Sequence, residues 1–211
     1  MASVILREIC LNYSNMYPKE FNDLIVQLKK LPQLGNKAAE RYAFTLLNMN
    51  EEEINNFVAA IKKANANIKK CEQCNFLTNN DYCEMCHDPS RDKSILCVVL
   101  SPKDVIAMEK TQKYNGRYYV LEKEISPSKG IMPMDLSLDK LLGQLNDVKE
   151  VILALSSTID GETTSLYLSK ILSNYPLKVS KIASGIPMGA QFDYADELTI
   201  IKALEGRSEI K

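Results

Sequence analysis

CEQCNFLTNNDYCEMC, residues 71–86, holds four of the six cysteines of this 211-residue chain, as two C-x2-C pairs eight residues apart. A two-residue gap lets two thiolates bite one ion from a tight turn, and two such turns close a tetrahedral shell. A closed shell leaves no position for a substrate. Cys71, Cys74, Cys83 and Cys86 therefore read as the ligands of one structural Zn2+ per chain. Asn79, Asn80 and Asp81 suit the turn between the halves. A segment this short buries no core of its own, and an ion substitutes for one. His87 reads as a bystander, and Cys10 and Cys97 as buried small residues. Disulfides, which a reducing compartment opposes, or a redox pair are the alternatives. That compartment is expected because the N-terminus, MASVILREIC, lacks a basic n-region and Arg7 and Glu8 interrupt its apolar run.

The composition, 45% apolar and 25% charged, is that of a soluble globular chain. The longest apolar runs, ILCVVL (95–100) and VILALS (151–156), are strand-sized, far short of the ~20 residues that span a bilayer. No membrane association and a cytoplasmic location are expected. Net charge is −1, but residues 18–70 carry nine Lys and Arg against six Asp and Glu. That bias fits either a phosphate-facing surface or a solvated helix face.

Upstream of the cysteines the period is helical. Pro18 opens a first helix bearing Phe21, Leu24, Ile25, Leu28 and Leu31, and Pro32 and Gly35 stop it. A second begins at Asn36, with Ala39, Tyr42, Ala43, Leu46 and Leu47 on one face. Asn50 and Glu53 form a variant capping box for a third, with Ile54, Phe57, Val58 and Ile61 inward and Lys69–Lys70 at its end. Downstream, strands (95–100, 118–121, 151–155, 177–182) alternate with helices (102–110, 138–145, 163–174, 195–204), the pattern of a mostly parallel α/β sheet. The polar stretch HDPSRDKS, residues 87–94, marks the boundary.

Two places carry candidate chemistry. The turn Leu31-Pro32-Gln33-Leu34-Gly35 resembles that of a helix-hairpin-helix DNA-binding motif, with Gln33 in place of its first glycine. Amide groups at the start of the second helix can face a phosphate. Lys37 and Arg41 share a face of that helix, and Lys29 and Lys30 precede the turn. Such contacts would read backbone rather than sequence; a packing hairpin with a solvated basic face is the alternative. Asp160 and Glu162, in SSTIDGETT, follow a buried strand at the end where α/β sheets place ligands. They suit either Mg2+ or the dipole of a helix start. The residues resemble the Toprim metal site, but Leu100 stands where its first-strand glutamate belongs. No G-x-x-x-x-G-K-[ST] loop exists. His87 is the only histidine, so a Ser or Cys nucleophile has no natural base. Tyr118 and Tyr119 read most simply as strand residues, with single-strand stacking as the alternative.

Taken in order, LPQLGNKAAERYAFTLL (31–47), the cysteine spacing, GRYYVL (116–121), ISPSKGIMP (125–133), TIDGETT (158–164) and GIPMGA…DELTIIKALEGR (185–207) resemble the bacterial recombination mediator family RecR, over about residues 18–207. The resemblance implies a helix-hairpin-helix segment (1–70), a four-cysteine zinc finger (71–86), a Toprim-like α/β domain (94–190) and a C-terminal helix and tail (191–211). It implies a non-enzymatic DNA clamp for recombinational repair that assembles as a dimer or tetramer ring. Such a clamp acts with RecO and RecF to load recombinase on gapped or damaged DNA. It assigns Lys37 and Arg41, with Lys29 and Lys30 nearby, to DNA of no particular sequence, single- or double-stranded, and leaves Asp160 and Glu162 as a vestigial acidic or partner site. Gln33, Leu100, Ser156, Ser157 and Ser184 depart from the family pattern. Two rival readings are a Mg2+-dependent Toprim nuclease or primase and a purely protein-binding repair adaptor.

Overall fold

The computed structural model describes residues 17–186, 188–207 and 209; Cys10 and Pro187 lie outside the described residues. The chain divides into two compact units, the first ending at Asn67 and the second starting at Ile68.

The first unit is helical. Helix α1 (Lys19–Leu28) is capped by Pro18, whose missing N–H would have no partner in a first turn. Helix α2 (Asn36–Leu47) packs on it through Ala39 and Ala43, both fully buried, and through Phe21. Small residues at 39 and 43 let the two backbones approach. In the turn between them Gln33, where the motif has glycine, takes φ 66°, a left-handed conformation that costs an L side chain roughly 1–2 kcal/mol. Helix α3 (Glu51–Asn67) starts at the expected box, with the Asn50 amide donating to Glu53 at 2.9 Å and the Glu53 amide to Asn50 Oδ1 at 2.9 Å. Its stripe does not turn inward as the periodicity predicts. Phe57, Val58 and Ile61 are 42–54% exposed, because no described element of this unit covers that face.

Lys69–Lys70 do not finish α3. They form β1 (Lys69–Lys70), antiparallel to β2 (Leu77–Thr78), a two-stranded ribbon at the mouth of the cysteine cluster. The one-turn helix α4 (Glu84–His87) follows. The α/β sheet then has the order β4 (Gly116–Val120), β3 (Asp92–Val99), β5 (Glu150–Ala154), β6 (Lys178–Lys181), all parallel. As ILCVVL suggests, β3 is buried on both faces. Leu96 and Val98 meet Tyr119, Val151, Leu153 and the inner face of α7 (Ile159–Leu172). Cys97 and Val99 meet Tyr118, Val120 and Val105 of α5 (Pro102–Glu109). The expected helix over 138–145 is shorter: α6 (Asp139–Leu142) gives way to a 3-10 turn at Leu145–Asp147, yet Leu138, Leu141 and Leu145 still reach the core. Helix α8 (Glu197–Glu205) closes the described chain with Leu198, Ile201 and Leu204 facing outward.

Helix α7 begins earlier than its apolar spacing suggests. Thr158 caps it by accepting the Gly161 amide. A Cβ on Gly161 would lie 2.1 Å from the Ser156 carbonyl oxygen, so only glycine fits there.

Relieving the strain at the hairpin turn gives a direct test. Gln33→Gly should raise the unfolding free energy by about 0.5–1 kcal/mol, the left-handed cost less the extra freedom of glycine in the unfolded chain. Urea unfolding of both proteins measures it; an unchanged or lower midpoint would contradict the strain.

Candidate metal centre and nucleic-acid interface

The four cysteine sulfurs lie within 4.8 Å of one another. Cys71 Sγ is 3.8 Å from Cys86 Sγ, and Cys74 Sγ is 3.5 Å from Cys83 Sγ. A tetrahedral zinc with bonds near 2.3 Å would set its sulfurs about 3.8 Å apart, so the donor set fits such an ion without rearrangement. None of the four is in a disulfide, and three of them are buried. Crowded sulfurs do not ionise independently. Hydrogen bonds, first from Cys74, hold the Cys83 thiol low, while Cys74 is raised, chiefly by its bond to Cys83. Four thiolates together need a cation between them. The Cys83 amide donates to Cys71 Sγ at 3.3 Å, orienting that sulfur inward. His87 turns away and packs edge-on against Tyr82, ring centroids 5.6 Å apart. Cys97 stands apart in β3, its thiol pushed up to about 12 by burial.

The first cysteine turn is bonded into the sheet. Val120 donates its amide to the Cys74 carbonyl at 2.8 Å, and the Asn75 side-chain amide donates to the Val120 carbonyl at 3.1 Å. Asn75 takes φ 60° to make that reach. Gln144, just after α6, donates to the Gln73 carbonyl at 2.8 Å. Strand β4 is the edge of the sheet, so the turn occupies backbone groups that no strand covers. At the other end of β4, Arg91 donates to the Gly116 carbonyl at 3.0 Å and grips Glu109 at 3.1 and 2.6 Å. Tyr118 is 3% and Tyr119 1% exposed, their hydroxyls donating to Glu109 and to the Ser137 carbonyl; neither offers a face for base stacking.

The hairpin presents the basic residues singled out from the sequence. Lys37 and Arg41 lie one turn apart on α2, and Lys29 and Lys30 follow α1; all four are exposed. Arg41 lies 5.5 Å from the centroid of the Tyr42 ring. Among the described residues none of the four takes part in an ion pair.

Leu100 borders a cavity of about 270 Å³ with Val99, Met108, Leu155 and Ile182. Asp104, also there, accepts from the Ser101 amide at 2.7 Å and hydroxyl at 2.9 Å, as a helix cap. Asp160 and Glu162 both fall in the first turn of α7. Asp160 faces Lys129 at 3.7 Å; Glu162 meets Lys181 at 2.6 Å and also Lys202 of α8. The two carboxylates thus face different lysines, and among the described residues the four cysteines form the one group of three or more His, Cys, Asp or Glu side chains close enough to share a metal. Sequence reasoning missed Glu124, which accepts from the Ser156 amide at 3.0 Å and hydroxyl at 2.7 Å and so fixes the loop before α7. It missed Lys129, Lys181 and Lys202 as well. No local pattern marks these pairings.

Lys181, then Lys202, hold the Glu162 carboxyl below its ordinary 4.5. A carboxylate depressed on folding stabilises the native state above its ordinary value, and that stabilisation disappears as pH falls through the lower folded value. Glu162→Gln should therefore speed amide exchange over 197–205 at pH 7, with the difference from the parent fading in the acid range below 4.5. A difference that is constant with pH would rule out the ion pairs as its source.

Comparison with known proteins agrees with this order of parts. A family model for the RecR helix-hairpin-helix matches residues 21–65, one for the Toprim domain residues 94–183, and one for the RecR C-terminal region residues 185–208. Two relatives, each named Recombination protein RecR, come from Clostridium perfringens strains ATCC 13124 and 13. Each is 45% identical to this chain over 195 residues, covering 92% of this chain and 98% of the relative. With that coverage added to the helical hairpin, the four-cysteine cluster and the parallel Toprim sheet, the chain belongs to the RecR family of recombination proteins.

Proposed function

We propose that this protein is a DNA-binding clamp of recombinational repair, one that binds nucleic acid through its helical hairpin and carries out no chemistry on it. The observation that carries the reading is the pair Lys37 and Arg41, exposed and without an ion pair among the described residues, at the start of the second helix of a RecR-type hairpin. Backbone amides and the helix dipole there favour a phosphate. Contacts of this kind position a duplex or a single strand without reading its sequence. Lys29 and Lys30 extend the basic surface on the other side of the turn.

Several features support a binding role over a catalytic one. Leu100 lies at the end of β3 where a Toprim enzyme would place a glutamate. Asp104 is committed to a helix cap, and Glu162 is neutralised by two lysines. Asp160 and Glu162 act here as helix-start and tethering carboxylates. Family membership supports the rest of the reading: self-association into a dimer or tetramer ring, and cooperation with RecO and RecF in loading recombinase onto gapped DNA. Cys71, Cys74, Cys83 and Cys86 would hold one structural Zn2+. When bound, the ion supplies charge balance for the thiolates and a rigid link between the two turns.

Lys37→Ala with Arg41→Ala should leave the helical circular dichroism unchanged and weaken duplex binding. The slope of log affinity against log salt should fall by about 0.9 for each phosphate no longer neutralised, about 1.8 for the pair. Equal affinities at every salt concentration would contradict the reading; Mg2+-dependent cleavage in the same mixtures would favour the enzyme. Metal removal tests the centre. A chelator that strips the cysteines should lower the thermal midpoint and accelerate amide exchange at Val120 by about tenfold or more, since its acceptor, the Cys74 carbonyl, loses its anchor. Full protection of Val120 in a verified metal-free protein would contradict a structural role.

A further inference from the structure

Helix α2 carries two cations and one carboxylate: Lys37, Arg41 and Glu40. Glu40 is three residues from Lys37, a spacing at which helical side chains are neighbours. A carboxylate left free there would bind the Lys37 ammonium and repel an approaching phosphate. It is not left free. Glu40 Oε1 accepts a hydrogen bond from the hydroxyl of Tyr17, the residue two positions before α1. The Tyr17 ring is itself fixed edge-on by Phe21 at 4.9 Å and by Phe44 at 5.8 Å, and these two rings pack 4.7 Å apart. Phe21 comes from α1 and Phe44 from α2, so the aromatic cluster spans the helix pair and its polar tip is given to Glu40. The same bond raises the ionisation of Tyr17 above its ordinary value, so the hydroxyl remains a donor at neutral pH.

We propose that Tyr17 is a positioning residue for phosphodiester binding: by holding the Glu40 carboxylate it keeps that group from pairing with the Lys37 ammonium. The ligand is the anionic backbone of a nucleic acid, and the inference rests on the reading of Lys37 and Arg41 as its contacts. Tyr17 touches no phosphate. Its effect passes through Glu40, so removing the carboxylate should remove the need for the tyrosine.

Fluorescence titration of a labelled duplex at several salt concentrations, with the full chain, tests this. Tyr17→Phe keeps the ring and deletes the hydroxyl. It should weaken binding by about twofold at low salt, on the scale of exposed helical ion pairs, and the deficit should shrink as salt screens the released carboxylate. Glu40→Gln should bind at least as tightly as the parent, and Tyr17→Phe with Glu40→Gln should match Glu40→Gln alone. The Lys37→Ala, Arg41→Ala protein is run alongside. If it loses affinity while Tyr17→Phe does not, the inference fails and the underlying reading stands. Should Tyr17→Phe weaken binding equally with and without Glu40, the tyrosine acts by packing and the inference again fails. If the Lys37→Ala, Arg41→Ala protein binds as the parent does, both fall together.

Discussion

An edge strand has one side without a partner, and the backbone groups on that side must find water or another acceptor. In this chain the outward amide and carbonyl of Val120 are taken by the Cys74 carbonyl and the Asn75 side chain. That pair of bonds is the constraint on which the second unit depends. It turns a cysteine segment too short to fold alone into the lateral cover of β4. It also uses the left-handed Asn75 to turn a side chain back onto the strand. Arg91 does the same for Gly116 at the opposite end, with Glu109 and Tyr118 completing its surroundings. The cysteine cluster is thus part of how this sheet ends.

The charges divide by task. In the α/β unit the functional-looking carboxylates are spoken for: Glu124 by Ser156, Asp104 by Ser101, Asp160 by Lys129, and Glu162 by lysines from β6 and α8. These pairings lie at the ends of α5, α7 and α8. In the helical unit the opposite holds. Lys37 and Arg41 have no carboxylate partner among the described residues, and the acid lying between them in sequence is bonded elsewhere. Among the described residues, then, these acids are engaged in one unit while Lys37 and Arg41 of the other are left without an ion-pair partner.

How much of this could be read in advance depended on range. The C-x2-C spacing is local, and the sulfurs meet as that spacing requires. The Asn50–Glu53 box and the double burial of β3 are local too, and each is found. The stripe of Phe57, Val58 and Ile61 was visible as a stripe, but periodicity does not say what covers it. Lys69 and Lys70 look like a helix end until Leu77 and Thr78 are known to pair with them. Glu124 with Ser156 and Glu162 with Lys202 join residues 32 and 40 positions apart. Nothing in either neighbourhood points to the other, so the sheet's carboxyl end was the least legible part.

The placement of the cysteine turn against β4 also sets an order in time. Cys86 precedes Val120 by 34 residues, and at roughly 5–20 residues per second of synthesis that is a lead of about 2–7 s. All four thiols are therefore translated, and leave the ribosome, ahead of the strand they flank. The nascent chain makes the cover first and the vulnerable border afterwards, so that border never waits uncovered for a partner still to be translated.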